Sequence, residues 1–261
     1  SVELKNGQNK IISDGFFYQQ PVQSNIKAGA NEIYDICLDS TGDYLVSAAG
    51  GKGVYIFNID SSTFTVSVHN LNPDDLRRKI DLDNNGEDDR ILANVTLPGK
   101  YRAYGVDTYF EKGVDRIFVT GAVPGKAESA KIFIIGFDPE NLNNTTMISS
   151  VPLFSDYARG IKVSNSRALV AMNEKGIGFS DIFIQSKSYL TNRLTLPENN
   201  KALDIVQVKK NAGKSSFYAV ASGDFSYSGN RLVNEEDLST GGFYLVENSV
   251  EKGMEIAGSV D

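Results

Sequence analysis

A group of three short strands recurs four times in this 261-residue chain, and the recurrence limits the possible folds more than any other feature. In each unit the first strand carries Asp or Gly followed by Ile or Val. A second, apolar strand then ends in small residues, and a third strand follows. The runs are rich in β-branched and aromatic residues and are bounded by Gly, Asn, Asp and Ser, which favours strands. The units span residues 33–58, 103–136, 158–181 and 202–247, with second strands at 43–48, 116–121, 167–172 and 217–222.

The rest of the chain adds no strong helical signal. No stretch of 11 or more residues has a convincing period of 3.6 residues. The best helix candidate is residues 73–78, which would form one or two turns at most. The sequence therefore predicts an all-β protein.

The spacing of the units predicts a β-propeller. Their matching positions are Asp35, Gly105, Gly160 and Asp204, so successive units lie 70, 55 and 44 residues apart. The shortest spacing is close to the roughly 40–50 residues of a propeller blade, and the longer two would carry insertions. A β-sandwich is the alternative, in which the similarity of the strands is a coincidence.

Strands are also expected near both ends of the chain, at residues 16–18 and 254–257. We expect these terminal strands to complete one blade and to close the ring, so that no sheet edge stays open. The prediction is a single propeller domain of about five blades over residues 1–261.

The units resemble LVIVD-type and related surface β-propeller repeats. In those repeats the inner strand reads Ala-x-[Asp/Gly]-[Val/Ile] and the third strand reads Gly-[Leu/Val]-x-[Ile/Val]. Residues 103–106 (Ala-Tyr-Gly-Val) and 53–56 (Gly-Val-Tyr-Ile) fit these two patterns. The resemblance covers most of residues 31–247 and implies a propeller displayed at a surface.

An acidic loop within an insertion at about residues 70–92 predicts a calcium site. It reads D-x-D-x-N-G-x-x-D, which places oxygen-bearing side chains at positions 1, 3, 5 and 9, with a glycine at position 6 that allows a tight turn. A solvated acidic turn is the alternative interpretation. The predicted Ca²⁺ ligands are the side chains of Asp81, Asp83, Asn85 and Asp89 and the backbone carbonyl of Glu87.

The loop is not an EF-hand, because position 12 is Leu92 where an EF-hand has a bidentate Glu. It resembles the shorter calcium loops of FG-GAP repeats, which a strand follows at once, here residues 91–95. Pilus-associated propeller adhesins carry similar loops. We expect the ion to make the insertion rigid rather than to act in catalysis.

Composition excludes several classes of protein. With 26 basic and 33 acidic side chains the net charge is −7, which argues against a nucleic-acid partner. A single Cys37 and a single His69 exclude an internal disulfide, a cysteine zinc site and any mechanism that needs two histidines.

Apolar runs such as residues 132–135 are far shorter than the roughly 20 residues of a membrane helix, so no membrane span is expected in this chain. Because the chain opens on Ser1 instead of Met, we expect a mature or excised piece of a larger protein.

Single candidate residues receive mostly structural interpretations. Cys37 lies on an apolar strand and is expected to be a buried thiol, whereas His69 is expected at the surface. Asp35 and Asp204 occupy matching inner-strand positions, and Arg159 lies one position earlier in its unit. The two carboxylates could form an acid–base pair in one channel, but hydrogen bonds across the inner strands are the favoured interpretation.

Three further segments carry weaker signals. Residues 50–53 (Gly-Gly-Lys-Gly) are expected to form a hairpin turn and not a phosphate loop, because no helix opens after them. Residues 94–96 and 143–146 fit the N-glycosylation pattern. The polar segment at about 222–240 is expected to be a long loop suited to a protein contact.

These features together predict a non-enzymatic, extracellular or cell-surface propeller. It would mediate protein binding, adhesion or surface assembly and would be stabilised by one Ca²⁺. One alternative is a calcium-dependent hydrolase or lyase that acts at the propeller channel. The other is an intracellular scaffold, against which a loop suited to millimolar extracellular calcium argues.

Overall fold

Strands dominate the computed structural model, which describes most but not all of the chain. In the described ranges the helical structure is the 3₁₀ turn Leu142–Asn144 and a 3₁₀ position at Pro197. By its internal contacts the chain divides into two units, residues 1–27 with 61–90 and residues 28–60 with 91–261. The described residues are 10–11, 17–18, 32–39, 41–59, 89–111, 114–164, 167–181, 190–197, 200–210, 215–223, 227–228, 231–232, 242–249 and 253–260.

The first unit is described at only a few positions. β1 (Lys10–Ile11) pairs with β2 (Phe17–Tyr18) in antiparallel fashion, and Asp89 and Arg90 lie in a turn. β2 confirms part of the strand expected at residues 16–18.

The second unit contains four sheets of four antiparallel strands, and in each sheet the strands pair in chain order. The first sheet comprises β3 (Asp35–Leu38), β4 (Tyr44–Ala48), β5 (Val54–Asn58) and β6 (Ile91–Val95). The second comprises β7 (Arg102–Glu111), β8 (Val114–Ala122), β9 (Lys131–Phe137) and β10 (Thr146–Pro152). The third comprises β11 (Ile161–Ser164), β12 (Arg167–Ala171), β13 (Ile177–Asp181) and β14 (Leu190–Leu194). The fourth comprises β15 (Lys201–Lys210), β16 (Ser215–Gly223), β19 (Gly242–Ser249) and β20 (Gly253–Val260), while β17 (Tyr227–Ser228) pairs with β18 (Arg231–Leu232).

Each sheet matches one of the four units found in the sequence. The three strands of every unit are present, and a fourth strand completes each sheet. The strand expected at 254–257 is part of β20, where it is the last strand of the fourth sheet. The blade count of about five stays a prediction, and the helix candidate at 73–78 lies outside the described residues.

One detail of the sequence alignment is wrong. If the second strands at 43–48, 116–121 and 217–222 are aligned end to end, Ala48 corresponds to Gly121 and Ser222. In the structure, the residue that pairs with the Asp/Gly position of the first strand is Ala48 in the first sheet, Thr120 in the second and Ala221 in the fourth. In the third sheet Gly160 bonds with Ala171, whereas the alignment matches Met172 with Ala48, so the true equivalents lie one residue earlier in the second, third and fourth units. A run of small residues contains no signal of register, so only strand pairing resolves it.

Three apolar cores join successive sheets face to face. Side chains alternate along each strand, so neighbouring residues serve different cores. On β12, for example, Val170 belongs to the core between the second and third sheets and Leu169 to the core between the third and fourth. Fully burying such a side chain contributes about 1.5–3 kcal/mol. The first strands of the four sheets, β3, β7, β11 and β15, contact one another in that order, and we call them the inner strands.

Candidate functional site

A cavity of about 190 Å³ lies where the inner strands begin. Its lining comes from matching positions of all four sheets, namely the Asp/Gly position and the residue before it. We call it the inner cavity. It is lined by the pairs Tyr34–Asp35, Arg159–Gly160 and Leu203–Asp204, together with Tyr104.

Two β-bulges help to form this lining. The register of β7 against β8 passes over Tyr104, and the register of β15 against β16 passes over Leu203. A bulged residue has no partner opposite it, and the bulge redirects its side chain. The bulges therefore explain why these two side chains reach the inner cavity, and no sequence pattern revealed them.

Asp35 joins the first and second inner strands. Its Oδ2 accepts a hydrogen bond from the backbone N–H of Val106 at 2.9 Å, and its Oδ1 accepts one from the N–H of Ile36 at 2.9 Å. Burial raises the pKa of this carboxyl, and the negative charges of Asp204 and Asp107 raise it further against the effect of the two N–H groups. The expected hydrogen bond across the inner strands is thus present at Asp35.

Asp204 occupies the matching position on β15 but has different contacts. Its Oδ1 accepts a hydrogen bond from the N–H of Ile205 at 2.8 Å. Among the described residues, no hydrogen bond joins its side chain to another inner strand, and the residue is exposed. The structure therefore places Asp35, Asp204 and Arg159 around one cavity but gives the two carboxylates different environments.

Glycine replaces aspartate at this position of the second and third sheets because the next strand comes too close. A Cβ at Gly105 would overlap the carbonyl oxygen of Arg159, and a Cβ at Gly160 would overlap the Asp204 carboxylate. Thr120 fixes the same approach, since its Oγ1 donates a hydrogen bond to the Arg159 carbonyl oxygen at 2.7 Å.

Tyrosines and an ion pair form one side of the inner cavity. The ring centroids of Tyr34 and Tyr104 are 5.0 Å apart, edge to face, and Tyr157 continues the row at 5.8 Å from Tyr104. Tyr34 donates a hydrogen bond to Glu32 at 2.9 Å, and Arg102 forms an ion pair with the same carboxylate. Burial raises the pKa of both Tyr34 and Tyr104, so their hydroxyl groups stay protonated at neutral pH.

A second aspartate joins the second and third inner strands, and the sequence analysis missed it. Asp107 Oδ2 accepts a hydrogen bond from the N–H of Val163 at 2.6 Å, and its Oδ1 accepts one from Lys162 Nζ at 2.7 Å. Burial raises the pKa of Asp107, against the effect of the Lys162 charge. One signal was present in the sequence: a single charged residue follows two positions after Gly105 and after Gly160, namely Asp107 and Lys162.

The predicted calcium ligands are largely beyond the described ranges. Asp81, Asp83, Asn85 and Glu87 lie outside them, and Asp89 is described in the turn before β6. Among the described residues, no group of three or more His, Cys, Asp or Glu side chains lies close enough together to hold a metal ion. The calcium site therefore stays a prediction, although the strand expected directly after the loop is present as β6.

Other candidate residues have structural surroundings. Cys37 is partly buried on β3, and burial raises the pKa of its thiol, which makes it a poor nucleophile. Gly50 and Gly53 have φ of 52° and 80° in the turn between β4 and β5, which confirms the predicted hairpin. Asn94 uses its side-chain amide as a donor to the carbonyl of Lys52 at 2.9 Å. His69 lies outside the described residues, as do most residues of the predicted loop at 222–240.

Comparison with known proteins identifies the fold. No family model matches the sequence, and neither does any curated protein. Among solved structures, the chain is similar to the crystal structure of Sqt1 from Chaetomium thermophilum, a β-propeller of the WD40 type, with a TM-score of 0.50 and 10% identity. The match covers 88% of this chain and 50% of Sqt1, so the chain spans half the length of that structure.

The fold is a β-propeller. Four four-stranded antiparallel sheets and the likeness to Sqt1 confirm the predicted class, with several blades, over the β-sandwich alternative. At 10% identity the likeness shows the fold alone. In the described part of the chain, no helix is both long and apolar enough to cross a membrane.

Proposed function

We propose that this chain is a non-enzymatic β-propeller that binds a protein partner at the inner cavity. The observation that carries the proposal is the convergence of matching positions from the four described four-stranded sheets on one cavity of about 190 Å³. Pockets for drug-sized ligands measure about 300–1,000 Å³. A cavity of this size is suited to one side chain of a larger partner.

The chemistry of the inner cavity favours binding over catalysis. A hydrolase or lyase of the alternative kind would use Asp35 and Asp204 as acid and base. Both oxygens of Asp35, however, already accept backbone N–H groups, and the bond from Val106 holds two inner strands together. The lining residues, all of them described, include no Ser, Cys or His that could serve as nucleophile or base.

We also propose that the propeller acts outside the cell or at its surface, in adhesion or surface assembly. One structural calcium ion would stabilise it. The support for this part of the proposal is the D-x-D-x-N-G-x-x-D loop, because Ca²⁺ requires six to eight oxygen ligands and loops of this class suit millimolar extracellular calcium. The ligands would be Asp81, Asp83, Asn85, Glu87 and Asp89.

A peptide library tests the binding surface. Phage-displayed random peptides are selected on the wild-type protein, and their affinities are then measured by calorimetry on two variants. Leu203→Trp fills the inner cavity, whereas Val208→Trp adds the same ring at a position on β15 that is 59% exposed and does not line the cavity. Thermal unfolding verifies that both variants fold.

We expect peptides that bind the wild type and Val208→Trp alike and bind Leu203→Trp at least about tenfold more weakly, a loss of about 1.4 kcal/mol. Peptides that bind all three proteins equally would refute the inner cavity as the binding surface.

Calcium removal tests the second part of the proposal. We expect the wild-type unfolding midpoint to rise from excess EDTA to millimolar Ca²⁺, because a ligand at 100 times its Kd stabilises the folded state by about 2.7 kcal/mol. Asp83→Ala should not respond. A wild-type midpoint that is the same in both buffers would reduce residues 81–89 to an acidic turn.

A further inference from the structure

We propose that the inner cavity binds a basic side chain of the partner, a lysine ammonium or an arginine guanidinium. This inference rests on the proposed function and specifies the chemistry of the group that would enter the cavity. Four properties of the described residues support it: the charges of the lining, the environment of the carboxylates, the aromatic wall and the charge of the whole chain.

Negative charge predominates in the lining. Asp35 and Asp204 contribute two carboxylates, and Arg159 contributes one guanidinium. Two negative charges against one positive charge leave the lining with a surplus of negative charge.

The two carboxylates also repel each other. Burial is the main reason that the pKa of Asp35 is raised, and the charge of Asp204 raises it further. A cation placed between two like charges removes this repulsion and favours the ionised form of Asp35. Asp204 can supply such a contact, because its Oδ2 has no hydrogen-bond partner among the described residues, while Oδ1 accepts the N–H of Ile205.

The remaining lining suits the stem of a long basic side chain. Tyr34 and Tyr104 offer aromatic surface, and rings of this kind attract cations within about 6 Å of their centroids. Arg102 already uses this attraction, with its guanidinium carbon 6.0 Å from the Tyr34 ring centroid. Leu203 adds an apolar contact for the methylene groups, which lysine and arginine bury while their charged ends remain polar.

The charge of the chain favours a basic partner as well. A net charge of −7 attracts cationic segments over distances of about a Debye length and accelerates their association at low salt. This long-range attraction does not choose a site by itself. It adds to a cavity whose lining already favours a cation.

A double-mutant cycle tests the inference. Among peptides whose binding depends on the inner cavity, we expect one lysine or arginine to be essential, such that its replacement by methionine, which has a similar length, weakens binding about tenfold. Asp204→Asn should weaken the original peptide about fivefold or more. The methionine peptide should bind Asp204→Asn and the wild type alike, because the interaction is already lost.

Asp43→Asn is the matched control. It removes the same charge from an exposed position in the turn between β3 and β4, at the far end of the first inner strand from the cavity. We expect less than about a twofold change in affinity, since Asp43 does not line the cavity and its charge would act on the peptide only through screened long-range attraction. Equal losses in Asp43→Asn and Asp204→Asn would overturn the inference and reduce the effect to net charge.

The remaining outcomes separate this inference from the proposed function. If the essential residue of the cavity-dependent peptides is acidic or apolar, the inference that the cavity binds a basic side chain is wrong, and the proposed function remains. If no selected peptide depends on the cavity, the proposed function fails, and this inference fails with it. Unfolding midpoints of Asp204→Asn and the wild type that agree within error exclude misfolding as the cause of a loss.

Discussion

Aspartate joins neighbouring inner strands at two places, and the two places differ in how the negative charge is matched. Asp35 links the first sheet to the second through the N–H of Val106 and lines the inner cavity. Asp107 links the second sheet to the third through the N–H of Val163, and it is only 4% exposed. Its second oxygen accepts a hydrogen bond from Lys162 at 2.7 Å.

The difference separates a carboxylate whose charge is matched inside the protein from one whose charge is not. The charge of Asp107 is matched inside the protein by Lys162, so this junction has no need of a ligand. Asp35 has backbone N–H donors but no ion pair among the described residues, and the nearby Asp204 repels it. The same residue type at the same kind of junction therefore has its charge matched in one place and lines the inner cavity in the other.

Gly105→Ala is expected to have the largest effect, because it acts on both junctions. The residue directly precedes Val106 and Asp107, and a Cβ there would overlap the backbone carbonyl of Arg159, which cannot move aside as a side chain can. Forcing two inner strands apart should lower the free energy of unfolding by about 3 kcal/mol or more in urea denaturation. Gly258→Ala is the control, because its Cβ would meet nothing within 4 Å. Equal stabilities of the two variants would show that the inner strands do not depend on this contact.

Asp107→Ala is expected to rank second. It leaves the N–H of Val163 without an acceptor and removes the counter-ion of Lys162. Breaking a fully buried ion pair costs about 3–5 kcal/mol, but the Lys162 side chain is 34% exposed and can turn to solvent, so we expect a loss of about 2–3 kcal/mol. Asp107→Asn keeps an acceptor for Val163 and should lose less. An alanine variant as stable as the asparagine variant would contradict the role assigned to the N–H.

Thr120→Val tests a smaller part of the second junction. The hydroxyl donates to the Arg159 carbonyl at 2.7 Å in a buried environment, so its loss should cost about 1 kcal/mol in urea denaturation. Thr108→Val is the counterpart at the first junction, where the hydroxyl donates to the Leu38 carbonyl at 2.8 Å in an exposed environment. Water can replace that bond, and the cost should be smaller. The opposite order would show that burial does not distinguish the two junctions.

The sequence predicts the strands that have apolar faces and misses those without them. The three strands of each unit lie inside the sheets, where β-branched and aromatic residues give a clear signal. The outer strand β10, in contrast, is exposed at its first five residues, Met147 and Ile148 included, and has no regular apolar face. Such a strand at the edge of a sheet depends on pairing with a neighbour, and local sequence shows no such pairing.

The sequence predicted only those features of the site that follow from the repeated positions of the four units. The repeat brings Asp35, Asp204 and Arg159 to one cavity, which was the alternative that the sequence left open beside hydrogen bonds across the inner strands. The contribution of Tyr104 depends on a bulge, which no residue pattern marks. The contact of Lys162 with Asp107 joins residues 55 positions apart and requires the sheets to be packed face to face.

The smallest expected effect is a pH dependence at the first junction. Because the pKa of Asp35 is raised by burial and by Asp204 above its ordinary value of 3.8, the folded state holds this proton more tightly than the unfolded state does. The stability contributed by Asp35 is then complete below pH 3.8 and decreases as the pH rises through the raised pKa. Asparagine at this position cannot ionise. We therefore expect the free energy of unfolding of the wild type, relative to Asp35→Asn, to be most favourable near pH 4 and to decrease toward pH 7.

Asp138 provides a control of opposite sign for this measurement. A hydrogen bond from the Asn144 side chain lowers the pKa of its carboxyl, so the stability that it contributes is present above its ordinary pKa and is lost as the pH falls. Urea denaturation of the wild type, Asp35→Asn and Asp138→Asn from pH 2.5 to pH 7 should therefore give opposite slopes for the two variants relative to the wild type, with the Asp138 effect confined to the pH range below its ordinary pKa of 3.8. Slopes of the same sign would mean that Asp35 is matched by a cation in the free protein. In that case the first junction would resemble the second, and the contrast between them, on which the proposed binding of a basic side chain depends, would disappear.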